Sequence, residues 1–233
     1  MKKLVLYSDQ MIDENRKIDR ELLRMIGKER PRIAYIASAS DITRKYYQPK
    51  AEYYRKLGVG HLFYFDLDQE YDESKIDELL SCDAIHLSGG NTYYFLRSLQ
   101  KRNFIPLLRD YVSRGKVLIG ISAGSILMSE TIGIARFGDV NAIGLKDLRA
   151  LNLIDFDFMP HWDKEAASLA EVRDYSKICR TTVYACPDGG GIIIEDDRAR
   201  IFEILSKSSM GLKRLPDECD RAAERSGVLK PFC

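Results

Sequence analysis

The chain has 233 residues, 45% of them apolar, and its 36 basic side chains nearly cancel 35 acidic ones. That length fits one α/β domain with a substantial core, and the balanced charge offers no electrostatic footprint for nucleic acid or an anionic membrane surface. Five scattered cysteines (Cys82, Cys179, Cys186, Cys219, Cys233) form no CxxC pair, which argues against a disulfide framework or a zinc site and makes a reducing cytoplasm the expected compartment.

The opening MKKLVLYSDQ has two lysines and then only a four-residue apolar run, too short for a signal peptide's apolar region or a membrane span. KLVLYS (3–8) reads as a first strand, followed by a helix-period segment over 13–27. PRIAYIASAS (31–40) is strand-like, and YYQPKAEYYRKLG is helix-like and ends at Gly58, a plausible cap. HLFYFDL (61–67) precedes DESKIDELLSC, where Ile76, Leu79 and Leu80 share a helical face. DAIHLSGGN (83–91) leads into TYYFLRSLQ, and GKVLIGIS (115–122) into AGSILMSE. Such βα alternation predicts a mostly parallel sheet with helices on both faces, a three-layer α/β/α sandwich. From 131 the pattern becomes mixed and glycine-punctuated, up to DFDFMPHW. A helix is expected over 163–180, then short β elements in TTVYACPDGGGIIIEDDRARIFEIL. Residues 1–233 are read as a single domain with a short β-rich C-terminal part, in which 211–233 is charged and has no assigned element.

Ligand sites in parallel sheets lie beyond the carboxyl ends of the strands. Two strand ends here have suitable chemistry: Gly120-x-Ser122-x-Gly124, and Gly89-Gly90-Asn91. Small residues around a serine at a strand-to-helix turn suit a nucleophile elbow. A helix starting near Ala123 would turn unpaired N–H groups toward that serine, and the glycine pair would supply a second amide for an oxyanion. The plainer reading is packing glycines and an Asn91 helix cap.

A serine needs a base. His61 opens a strand, and His86 lies inside a buried-looking one. His161, after the apolar FDFMP, is the only histidine beyond Ser122 in the chain and is the best candidate. Among many carboxylates Asp188 stands out in ACPDGGG, although Pro-Asp-Gly is also ordinary turn chemistry.

Four segments together, SGGNT at 88–92, GISAGS at 120–125, MPHW at 159–162 and ACPDGG at 185–190, resemble the peptidase E family of aspartyl dipeptidases and the related cyanophycinases. The match runs over roughly residues 30–210. It implies a class I glutamine amidotransferase-like (flavodoxin-like) fold. It also implies Ser122 as nucleophile, His161 as base, and the amides of Gly90 and Ala123 as an oxyanion hole, with Gly89 and Asn91 as adjoining substrate contacts. The family's dipeptidases carry a glutamate after the proline where this chain has Asp188, so Glu195 stands as an alternative acid. The resemblance further suggests Arg173, in Glu171-Val172-Arg173, as the group that grips a substrate's N-terminal aspartate through paired hydrogen bonds.

The implied reaction is acyl transfer from a small peptide, possible without metal or organic cofactor, with activity rising as His161 loses its proton. A monomer or homodimer is expected. Two rivals remain. An α/β-hydrolase would place its acid before the histidine, here within 130–157. A non-catalytic amidotransferase-like binding module would keep the serine unused. A cysteine hydrolase is excluded by the serine at the turn.

Overall fold

A computed structural model describes residues 1–162, 169–196 and 198–202. Its core is a seven-stranded sheet in the order β3-β2-β4-β5-β1-β8-β9. The strands are β1 (Lys3–Tyr7), β2 (Arg32–Ile36), β3 (His61–Phe65), β4 (Ala84–Leu87), β5 (Val117–Ile121), β8 (Gly191–Glu195) and β9 (Arg198–Phe202). The first five positions in this order are parallel pairs, and β8 runs antiparallel to β1 and to β9. A separate parallel pair joins β6 (Phe156–Met159) to β7 (Thr182–Ala185). The expected β-rich tail is thus divided: β8 and β9 extend the main sheet, and β6 and β7 form a small sheet of their own.

The central strands are apolar throughout because both their faces are covered. On β1, Leu4 and Leu6 join one core, while Val5 and Tyr7 join the other. The first core takes α3 (Ile76–Ser81), α4 (Thr92–Lys101), α5 (Phe104–Ser113) and the short α6 (Ala123–Ile126). Phe95, Leu96, Leu99, Phe104 and Leu108 are fully buried there. The second core takes α1 (Arg16–Ile26) and α2 (Tyr47–Lys56) through Ile18, Leu22, Met25 and Tyr54. These are the three layers that the βα alternation predicts. Helix α7 (Leu169–Cys179) packs beside the small sheet. It covers the later part of the helix expected over 163–180; residues 163–168 and the segment 211–233 lie outside the described residues. No helix among the described residues is long and apolar enough to cross a membrane.

Candidate active site

Ser122 follows the last residue of β5, at the carboxyl edge of the parallel strands. Its backbone has φ 51° and ψ −110°, a region that non-glycine residues occupy only when the surroundings impose it. The surroundings do so through hydrogen bonds. Ser122 N–H donates to the Tyr7 carbonyl at 3.1 Å, and the Ser125 hydroxyl lies 2.9 Å from that same oxygen and 2.8 Å from the Gly120 carbonyl. The two flanking glycines are required by close approach. A Cβ on Gly124 would sit 2.2 Å from the Leu87 carbonyl oxygen, and one on Gly120 would sit 2.5 Å from the Gly124 oxygen. The Gly-x-Ser-x-Gly spacing is therefore a packing necessity where β4, β5 and α6 converge.

The helix expected after Ser122 is a single turn, Ala123–Ile126. Four residues align too few peptide dipoles for a substantial macrodipole, so that part of the expectation is reduced to individual amides. Among the described residues, neither the Ala123 nor the Gly90 N–H is paired with an acceptor. Gly90 is held in an unusual conformation, φ 134°, and a Cβ there would come within 2.2 Å of Ser38 Oγ. The Gly89 carbonyl accepts from Ser38 Oγ at 2.7 Å and Ser88 Oγ at 3.1 Å. In a trans peptide the carbonyl and the next N–H point opposite ways, so these two hydroxyls turn the Gly90 N–H away from Ser38. Gly89 itself packs against Ser122: a Cβ on it would be 3.6 Å from the Ser122 Cβ.

His161 lies just beyond β6, and Asp188 just beyond β7. His161 Nε2 is 2.9 Å from Ser122 Oγ, and its Nδ1 is 2.7 Å from Asp188 Oδ1. One hydrogen-bonded chain thus joins a hydroxyl, an imidazole and a carboxylate contributed by three separate loops. Both His161 and Asp188 are about half exposed, so solvent and substrate can reach the chain.

The other candidates fall elsewhere. Glu195 pairs in register with Lys3, at the far end of β1 from Tyr7, and forms an ion pair with Arg24 at 2.6 Å. Four residues of strand put it about 13 Å from the Ser122 edge, away from His161. Among the described residues no carboxylate from 130–157 hydrogen-bonds His161, and the α/β-hydrolase arrangement is absent. His61 is exposed at the start of β3. His86 is fully buried, with Nδ1 2.8 Å from the Tyr54 hydroxyl and Nε2 unpaired among the described residues. Burial holds its imidazole well below the ordinary range.

Asn91 caps α4. Its Oδ1 accepts from the Tyr93 and Tyr94 amides, each at 3.1 Å, and its Nδ2 donates to the Val140 carbonyl at 3.0 Å. The plainer reading of this residue accounts for most of its bonding capacity. Arg173 is exposed on α7, where buried Val172 separates it from Glu171. Ser8, which sequence reasoning left out, proves central. It is fully buried beneath the His161–Asp188 pair. The only hint was a polar residue closing the apolar run KLVLYS.

The model of Peptidase family S51 matches residues 4–202. Over 205 residues the chain is 26% identical to YgaJ, described as an uncharacterized peptidase of Bacillus subtilis, covering 85% of this chain and 84% of that one. Over 88 residues it is 35% identical to an uncharacterized peptidase of Pasteurella multocida, covering 37% of this chain and 42% of the relative. With a peptidase of Listeria monocytogenes the share of the relative is similar, 40%, so the chain spans about two fifths of the length of these two relatives. A crystal structure of a candidate peptidase E protein from Listeria monocytogenes superposes with a TM-score of 0.69 at 22% identity, covering 88% of this chain and 99% of that one. At that identity the likeness speaks to the fold, the flavodoxin-like, class I glutamine amidotransferase-like sandwich. With the family model matched from β1 through β9, the chain belongs to peptidase family S51, a family of serine peptidases.

Proposed function

We propose that the protein hydrolyses small peptides through an acyl-enzyme, with Ser122, His161 and Asp188 as a catalytic triad and the Ser122 turn as a nucleophile elbow. The observation that carries this reading is the continuous chain Ser122 Oγ–His161 Nε2, His161 Nδ1–Asp188 Oδ1, at 2.9 and 2.7 Å. In the proposed cycle His161 Nε2 takes the Ser122 proton as Oγ attacks the scissile carbonyl carbon. The tetrahedral oxyanion rests on the Gly90 and Ala123 amides. His161 then returns the proton to the leaving amine as the C–N bond breaks. A water molecule, deprotonated by the same imidazole, cleaves the ester and restores Ser122. Asp188 keeps Nδ1 protonated, so that Nε2 faces the serine as the acceptor.

Exposed Arg173 is the proposed grip on a substrate carboxylate, which makes dipeptides with N-terminal aspartate the first substrates to try. Cytoplasmic location and a monomeric or homodimeric state belong to the same proposal, which involves neither nucleic acid nor membrane.

Covalent labelling tests the chemistry. A fluorophosphonate should modify Ser122 stoichiometrically. Ser122→Ala should abolish labelling, and Asp188→Asn should slow it by about 10²–10⁴-fold with the fold intact. Full-rate hydrolysis by Ser122→Ala, or no labelling of folded wild-type protein, would overturn the proposal, and the latter would favour the binding-module reading. A panel of Asp-X, Glu-X and neutral dipeptides, run on wild type and Arg173→Ala, tests the grip. A selective rise in KM for Asp-X in the variant supports it; equal KM values in both proteins reject it.

A further inference from the structure

We propose that Ser8 is a positioning residue that holds His161 and Asp188 in register with Ser122; this rests on the acyl-transfer reading for its consequence, but not for its geometry. Ser8 lies immediately after β1, the strand between β5 and β8. Its side chain is fully buried. Its Oγ accepts the His161 backbone N–H at 2.7 Å. The single hydroxyl proton is shared between the Cys186 carbonyl at 3.0 Å and Asp188 Oδ1 at 3.1 Å. The backbone N–H of Ser8 donates to the Gly190 carbonyl at 3.1 Å. One residue therefore touches both loops of the small sheet.

These contacts answer a structural problem. Ser122 belongs to the main sheet, whereas His161 and Asp188 follow strands of the separate β6–β7 pair. Nothing in the pairing of β6 with β7 sets their distance from Ser122. Asp188 is tied to the main sheet through β8, which begins at Gly191 opposite Tyr7, and residues 7 and 8 add direct links: the Tyr7 carbonyl receives the Ser122 N–H, and the next residue receives the His161 N–H and donates toward Asp188. His161 also has φ 54°, a left-handed conformation that a side-chain-bearing residue adopts only against a steric cost. The short N–H···Oγ bond to Ser8 helps to hold it there. The Ser8 proton and the imidazole Nδ1–H converge on the same carboxylate oxygen, Oδ1, which fixes the rotation of Asp188. Reacting groups lose about a hundredfold in rate for a misplacement near 1 Å, so support of this kind governs rate even though Ser8 touches no reacting atom.

The test separates geometry from chemistry. In wild type the His161 Nδ1–H, hydrogen-bonded to Asp188, should give a low-field proton resonance that His161→Gln removes. Ser8→Ala, with its thermal melt checked, should shift that resonance upfield or broaden it. It should also slow inactivation by diisopropyl fluorophosphate about tenfold to a hundredfold, with the loss in kinact and little change in KI. Ser8→Thr, which keeps the hydroxyl, should recover both readouts. If Ser8→Ala fails to fold, Ser8→Cys preserves the volume with a much weaker hydrogen-bonding group and should show the same losses. An unchanged resonance together with inactivation within twofold of wild type would overturn the proposal. So would an equal loss in well-folded Ser8→Thr, which would assign the effect to packing. If wild type itself resists diisopropyl fluorophosphate, the acyl-transfer reading fails, while the resonance alone still decides the role of Ser8.

Discussion

Gly90 and Gly124 show how differently two glycines of one site should respond to the same change. A Cβ on Gly124 meets the main-chain oxygen of Leu87, which cannot move without breaking the sheet. Gly124→Ala should therefore cost several kcal/mol, at the severe end for single substitutions, and chemical denaturation will show a large drop in midpoint. A Cβ on Gly90 meets the tip of the Ser38 side chain, and φ 134° is itself unfavourable for alanine. Gly90→Ala should fold with a modest loss. Alanine keeps the amide, but relieving its strained φ and the Ser38 contact would turn that N–H, so if Gly90 is an oxyanion donor the labelling rate at Ser122 should fall, by up to about 10²–10³-fold. Gly138→Ala is the control, because open space surrounds that position; its stability should stay within about 0.5 kcal/mol of wild type. At this scale the sequence displayed the glycines and the serine; Gly120 is required by its neighbour Gly124, whereas Gly124, Ser122 and Gly90 are fixed by Leu87, Tyr7 and Ser38, residues remote in the chain.

Among the elements, α1 and α2 carry a buried polar cluster against the sheet. Lys50 Nζ donates to Gln10 Oε1 at 2.8 Å, while the Tyr7 and Tyr53 hydroxyls donate to the two oxygens of Asp19 at 2.9 and 2.5 Å. Burial pushes the Lys50 ammonium down to about 8, partly offset by attraction to Asp9 and Asp19. Burial likewise raises the Asp19 carboxyl above its ordinary value. For a lysine depressed in the folded state, the unfolded chain binds more protons between the two pKa values. Stability due to this residue therefore rises with pH from about 8 toward 10, above which tyrosine ionisation in the unfolded chain opposes it. In Lys50→Met this component should vanish, so wild type should gain stability relative to the variant across that window. Urea midpoints measured at several pH values will show it; a constant difference would exclude a buried, depressed Lys50. The amphipathic helices around this cluster were legible from their apolar spacing. The cluster was not, because Gln10, Asp19 and Lys50 look like surface residues until the two helices close over them.

For the whole molecule, the sheet has two functionally unequal edges. Ser122, Gly89 and Gly90 follow parallel strands and share the carboxyl edge, as topology requires, and Ser8 anchors the His161 and Asp188 loops there. Glu195 sits at the other edge between Arg24 and Arg200. Glu195→Gln should leave Ser122 labelling within twofold of wild type and lower stability by no more than about 1 kcal/mol, as for other partly exposed ion pairs. A large loss of labelling would contradict the assignment of Asp188. Of two carboxylates only seven residues apart, strand direction places Asp188 beside His161 and Glu195 away from it: β8 carries the chain away from the site within five residues.

Read alone, the sequence determined the layered fold, because alternating apolar strands and amphipathic helices leave few ways to bury both faces of a parallel sheet. It also determined the serine turn, because only small residues flank so sharp a change of direction. It singled out His161, the only histidine placed after that turn. Tertiary structure alone decided which carboxylate faces the imidazole, that the helix after Ser122 is one turn, and that Ser8 joins the two sheets. The contacts among these groups join residues from 27 to 180 positions apart, and local periodicity and spacing do not encode them.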